Sequence, residues 1–141
     1  MRTAEDELTH KIIGCAMKVH NALGPGFLES VYHRCMEIEL AAQNIIFESE
    51  RKLNVFYEGK IVGHFIADLY ISPKLIVELK AIESITPSHE VQLVNYLAAT
   101  GIDNGLLLNF GSQSLQPKRK FRLSKPKPAS FDGHPSLTAS E

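Results

Sequence analysis

The feature that most constrains this chain is a change in the spacing of its apolar residues near Asn44. Before that point apolar side chains recur every three or four residues, which is typical of amphipathic helices. After it, short β-rich runs are separated by turn residues, which is typical of strands and hairpins. The chain is therefore expected to begin with helices and to continue into a sheet.

Two helices are predicted in the first part. Thr3 and Asp6 form the pattern of a capping box, and Gly24-Pro25 is a stop signal for the first helix. The second helix is expected to begin after Gly26 and to end at Asn44 in a left-handed conformation. The residues predicted to form its buried face follow the helical spacing: Phe27, Val31, Cys35, Ile38 and Ala42.

The remainder predicts three strands, a helix and a further strand. Glu58-Gly59 is the turn of a hairpin, and Leu75–Lys80 is a short buried strand. Thr86-Pro87 begins a helix and Gly105–Phe110 forms a strand, with Lys120–Leu123 as a possible edge strand. The order predicts a single α/β domain over residues 1–124, with a central mixed sheet of about four strands flanked by helices.

Composition agrees with one globular domain. The chain has 141 residues, of which 44% are apolar and 22% charged. No run approaches the roughly 18 apolar residues of a membrane span, and the acidic N-terminus lacks a signal-peptide core. With only two cysteines, a reduced cytoplasmic protein with no membrane association is expected.

Charge is distributed unevenly along the chain. Residues 1–114 carry 9 basic and 14 acidic side chains, whereas residues 115–141 carry 6 basic and 2 acidic ones. Residues 125–141 are rich in Pro, Ser and Lys and are predicted to form a disordered basic tail. Such a tail either contacts a polyanion or is simply solvated.

The residues most suggestive of chemistry are Asp68 and the segment Glu78-Leu79-Lys80. Side chains alternate along a strand, so Glu78 and Lys80 share one face while Leu79 points into the core. Two carboxylates and an ammonium group fit metal-assisted hydrolysis of a phosphodiester, with oxygen ligands that suit Mg²⁺. The alternative is an ordinary ion pair on an exposed sheet face.

Two helical patterns add polar groups. His89, Gln92 and Tyr96 share one face of the third helix, although His89 could merely occupy the helix start. Glu29 and Tyr32 follow Gly26 at intervals of three residues. A carboxylate in the first turn of a helix is also favoured by the helix dipole alone.

These residues carry a resemblance. Gly26 to Tyr32 reads G-x-x-E-x-x-Y, and Asp68, Glu78-x-Lys80 and Gln92-x-x-x-Tyr96 follow in order. The chain thereby resembles the GxxExxY family, a branch of the PD-(D/E)xK nuclease superfamily. The resemblance covers approximately residues 5–123. One departure is Ala67, which stands where the motif has proline.

The resemblance implies a restriction-endonuclease-like core and a set of site residues. Asp68, Glu78 and Glu29 would be catalytic metal ligands together with the carbonyl of Leu79, and Lys80 would be the catalytic lysine. The side chains implied to contact substrate are Tyr32, His89, Gln92 and Tyr96. The ion would be Mg²⁺, with Mn²⁺ as an alternative.

Several functions remain open on the sequence. The leading hypothesis is a Mg²⁺-dependent nuclease acting on DNA or RNA. The second is a catalytically silent module of the same fold that binds nucleic acid or protein, with a homodimer allowed for. This hypothesis rests on the excess of acidic side chains in residues 1–114, which offer no broad basic surface to a polyanion. The third is an accessory subunit of a larger complex.

Overall fold

Three helices and five strands follow one another in a computed structural model that describes residues 2–123. The expected α/β domain with a mixed sheet is confirmed, but the sheet has five strands rather than about four. The predicted tail, residues 125–141, lies outside the described residues. The elements are α1 (Ala4–Leu23), α2 (Glu29–Ala42), β1 (Glu48–Tyr57), β2 (Lys60–Ser72), β3 (Leu75–Lys80), α3 (Pro87–Thr100), β4 (Asn104–Asn109) and β5 (Gln116–Phe121).

Local sequence signals set several element ends. Thr3 and Asp6 form the expected capping box of α1. At the other end, the backbone N–H of Gly24 donates to the carbonyl oxygen of His20 and ends the helix. Thr86 is the N-cap of α3, with Pro87 in its first turn. Asn44 adopts the left-handed conformation expected after α2, with φ of 59°. These signals act within a few residues, which is why the sequence reveals them.

The strands lie in the sheet in chain order, β1-β2-β3-β4-β5. Only β3 and β4 are parallel, and α3 connects them. The β1–β2 hairpin turns at Glu58 and Gly59, both with positive φ, which matches the right-handed twist of the strands. β5 begins at Gln116, four residues before the expected Lys120, and includes Pro117 because it is an edge strand.

The sheet separates two apolar cores. The first, here called the α1–α2 core, includes Leu69, Val77 and Leu79 from the strands. The second, the α3 core, includes Ala67 and Ile76. Each helix layer therefore covers one face of the sheet. Consequently, residues on α2 and α3 approach the sheet from opposite sides.

The buried face of α2 differs from the predicted one. Its buried residues are Tyr32, Met36 and Leu40, whereas Phe27 is 48% exposed and Ile38 is 55% exposed. Apolar residues occur on two adjacent sides of this helix. A shift of one residue rotates the buried face by about 100°, and packing against α1 and the sheet decides which side is covered.

Tyr32 is a core residue, so its predicted contact with substrate is corrected. Its ring is fully buried and stacks on Phe110, with 4.7 Å between the ring centroids. Its hydroxyl donates to the carbonyl of Gly24 at 2.6 Å and accepts the N–H of Phe27 at 3.2 Å. Between these residues Gly26 has φ of 113°, which other residue types rarely adopt. Tyr32 thus fixes the loop that leads into α2.

Replacing Tyr32 by Phe should reduce the free energy of unfolding by about 1 kcal/mol, because two hydrogen bonds to the loop are lost. Thermal melts measure the change, and Tyr57→Phe is the control because Tyr57 is 67% exposed. Unchanged stability in Tyr32→Phe would show that these hydrogen bonds do not hold the loop.

Candidate active site

Asp68 and Glu78 meet where β2 and β3 separate. The backbone pairing of the two strands runs from Tyr70–Ile76 to Leu69–Val77, and Asp68 and Glu78 are the next residues on each strand. There the backbone N–H of Asp68 donates to Glu78 Oε2 at 3.2 Å, and the N–H of Leu79 donates to Asp68 Oδ2 at 2.7 Å. Carboxylates have therefore taken the place of backbone carbonyls as acceptors. Beyond the last backbone pair, the two strands are linked by these side-chain acceptors.

β2 reverses its faces at Asp68. Ala67 belongs to the α3 core and Leu69 to the α1–α2 core, although residues two apart on a regular strand share one face. On β1, Ser49 pairs with Leu69, while the following residue, Glu50, has φ of 53°. This local distortion places Asp68 between the two helix layers. Charged groups on α2 and on β3, His33 and Lys80, both act on its carboxyl group.

Burial dominates the electrostatics of Glu78. Removal from water, followed by the negative charge of Asp68, raises the pKa of Glu78 to about 9, against a lowering by the Asp68 N–H and by Lys80. Burial also raises the pKa of Asp68, whereas the hydrogen bond from Leu79 lowers it. Without a cation, Glu78 is protonated at neutral pH.

Glu29 approaches these carboxylates from α2. Its side chain is exposed at the helix start, yet partial burial and then the charge of Asp68 raise its pKa, while Lys80 and His33 lower it. A helix dipole acting alone would lower the pKa of a first-turn carboxyl group. Glu29, Asp68, Glu78 and Lys80 therefore act on one another electrostatically, although they come from three elements.

A narrow cleft on the α3 side opens beside Glu78 and Lys80. Side chains of α3 form its opposite wall, and its polar and aromatic lining is Phe65, Glu78, Lys80, His89, Gln92 and Tyr96. The three side chains predicted from the helix face thus line one cleft with Lys80. Tyr32 does not.

Besides lining the cleft, His89 makes a hydrogen bond at the start of α3. Its Nδ1 accepts the backbone N–H of Thr86 at 3.0 Å and completes the capping box of α3. With Nδ1 as acceptor, the proton of the neutral ring is on Nε2. His89 therefore caps the start of α3, as the alternative interpretation expected, and also lines the cleft. Tyr96 stacks on Phe65, with 4.0 Å between the ring centroids.

The sequence reasoning did not find His33. This residue lies one turn after Glu29, and its positive form would lower the pKa of both Glu29 and Asp68. The spacing of Glu29, His33 and Glu37 at every fourth residue of α2 is a signal that could have identified it.

Comparison with protein-family models matches residues 6–121 to the PD-(D/E)XK nuclease superfamily. The chain belongs to this superfamily. No curated protein and no solved structure matches it. The narrower GxxExxY assignment stays a prediction. Within the part of the chain that the structure describes, no helix has the length and apolar character needed to cross a membrane.

Membership of the PD-(D/E)XK superfamily implies a divalent metal ion. Residues 2–123 contain no group of three or more His, Cys, Asp or Glu side chains placed to hold a metal ion. The expected set of Glu29, Asp68 and Glu78 as three direct ligands is thus not assembled, because Glu29 comes from α2 on the other side of the sheet. Mg²⁺ needs only one or two carboxylates beside water, and Asp68 with Glu78 fits that requirement.

The stability of the metal-free protein should fall with rising pH. Glu78 releases its proton near 4.5 in the unfolded chain but near 9 in the folded one. Between these two pH values the folded state keeps the proton on Glu78, whereas the unfolded state has lost it. The stability contributed by protonated Glu78 is therefore complete below about pH 4.5 and is lost as the pH rises through about 9.

Glu78→Gln should flatten this profile, so that its melting temperature exceeds that of the wild type by several degrees at alkaline pH. Melts with chelator at a series of pH values measure the effect, and Glu83→Gln is an exposed control. Parallel profiles for wild type and Glu78→Gln would contradict the raised pKa.

Proposed function

We propose that this protein is a metal-dependent nuclease that hydrolyses phosphodiester bonds of DNA or RNA, with Mg²⁺ as the ion and Mn²⁺ as an alternative. The observation that carries the proposal is the pair of hydrogen bonds that holds Asp68 and Glu78 side by side, with Lys80 on the same strand. Superfamily membership supports the same reaction class.

Asp68 and Glu78 would hold the ion, with the carbonyl oxygen of Leu79 as a further ligand. A bound divalent cation would supply Lewis-acid stabilisation of the phosphate and a more acidic water. Burial keeps Glu78 protonated without a cation, so binding would be accompanied by proton release from this carboxyl group. If both Asp68 and Glu78 were ionised without a cation they would repel one another, and a cation between them would offset that repulsion.

The remaining side chains have separate parts in the proposal. Lys80 stabilises negative charge that develops on the phosphate, and Glu29 orients a water from the α2 side. Gln92, Tyr96 and the Nε2–H of His89 offer hydrogen bonds to the nucleic-acid backbone from the opposite wall of the cleft.

A second candidate is a binding module that keeps the fold without turnover. The acidic body favours it, because residues 1–114 carry 14 acidic against 9 basic side chains, and this excess of negative charge disfavours binding of a polyanion. Cytoplasmic location and a homodimer stay predictions under either function.

Lys80→Met should lower the cleavage rate by about 100-fold or more, because the charge at the phosphate is removed. Its fold and its affinity for Mn²⁺ should be retained, since the methionine chain replaces most of the lysine stem. The assay uses single-stranded DNA, duplex DNA and RNA, each with Mg²⁺, Mn²⁺ or chelator.

Lys11→Met is the matched control, because Lys11 is exposed on α1. Equal cleavage by Lys80→Met and Lys11→Met would exclude a catalytic lysine. Wild-type protein that binds nucleic acid but cleaves none of the substrates with either ion would favour the binding module.

A further inference from the structure

A cluster of polar side chains connects α2 to β1 beside the carboxylates. Ser49 Oγ donates to Glu37 Oε2 at 2.5 Å, and His33 Nε2 lies 3.4 Å from Ser49 Oγ and 3.6 Å from Glu37 Oε2. Because the Ser49 hydroxyl proton goes to Glu37, Ser49 is left to accept from His33. The ring therefore carries its proton on Nε2.

Two members of this cluster are largely covered, whereas Ser49 is exposed. The side chains of His33 and Glu37 are only 14% and 22% exposed. The second oxygen of Glu37 accepts from Arg34 at 3.0 Å, and the hydrogen bonds from Ser49 and Arg34 lower the pKa of Glu37. Glu37 thus remains an ionised acceptor, which strengthens the bond to Ser49.

Each end of the cluster is adjacent to a proposed site residue. His33 lies one turn after Glu29 on α2, and Ser49 pairs with Leu69, the neighbour of Asp68. Glu50, directly after Ser49, has the positive φ that accompanies the distortion at Asp68. A bond between His33 and Ser49 therefore ties the element carrying Glu29 to the strand that flanks Asp68.

We propose that His33, Glu37 and Ser49 form a positioning network that fixes the start of α2 against β1 and so sets the place of Glu29 relative to Asp68. His33 acts here through the hydrogen bond of its Nε2–H. The consequence for metal binding rests on the proposed function. The mechanical part, a clamp between α2 and β1, does not.

The test compares His33→Ala, which removes the donor, with His33→Gln, whose amide nitrogen lies near the position of Nε2. Affinity for Mn²⁺ alone is measured by electron paramagnetic resonance, and amide hydrogen exchange is followed over Glu29–Arg34. His33→Ala should bind Mn²⁺ about 10-fold more weakly, because Glu29, which orients a water beside the ion, is no longer fixed relative to Asp68, and groups outside the direct ligands typically have an effect of this size. Exchange at the start of α2 should be faster.

His33→Gln should restore both readouts to near the wild-type values, and Ser49→Ala should reproduce His33→Ala. The matched control is His64→Ala, because His64 also makes a side-chain hydrogen bond, to Asn54 at 3.0 Å, but lies on the hairpin. Circular dichroism confirms that each variant is folded before comparison.

Two results would overturn the network: unchanged exchange in His33→Ala, or a His33→Gln variant that behaves like His33→Ala. Wild-type protein without affinity for Mn²⁺ would instead refute the proposed function. Faster exchange in His33→Ala and Ser49→Ala would then still support the clamp.

Discussion

Two hydrogen bonds, from the N–H of Asp68 to Glu78 and from the N–H of Leu79 to Asp68, determine the shape of the site. In a regular antiparallel pair the ladder is closed by backbone N–H groups that donate to backbone carbonyls of the facing strand. Here side-chain carboxyl groups accept from these donors, which satisfies the backbone N–H groups and at the same time places two carboxyl groups side by side. The cost of burying them is expressed in the raised pKa of Glu78.

The rest of the fold makes this costly arrangement stable. On its other side β3 pairs in parallel with β4 along its full length, from Leu75–Asn104 to Lys80–Asn109. Leu75, Val77 and Leu79 are almost completely buried. β3 is therefore fixed by apolar burial, by β4 and by its pairing with β2 up to Leu69–Val77, which allows the last part of its contact with β2 to be polar.

Local patterns predicted the fold well where neighbouring residues decide the structure. The Thr3 capping box, the Thr86 N-cap and the Glu58-Gly59 turn each depend on a few adjacent residues. The buried face of α2 was wrong because two sides of this helix carry apolar residues. The resemblance placed Tyr32 in contact with substrate, but packing puts its ring in the core, and β5 began earlier than expected because its edge position tolerates proline.

The sequence by itself determined the order of elements, the alternation that puts Glu78 and Lys80 on one face of β3, and the superfamily motif. It could do so because spacing along a strand or helix dictates direction within that element. Only the tertiary structure decided that Glu29 arrives from the opposite layer and that His33 contacts Ser49. These are relations between elements, and they depend on the separation of β2 from β3 and on which side of α2 the core covers.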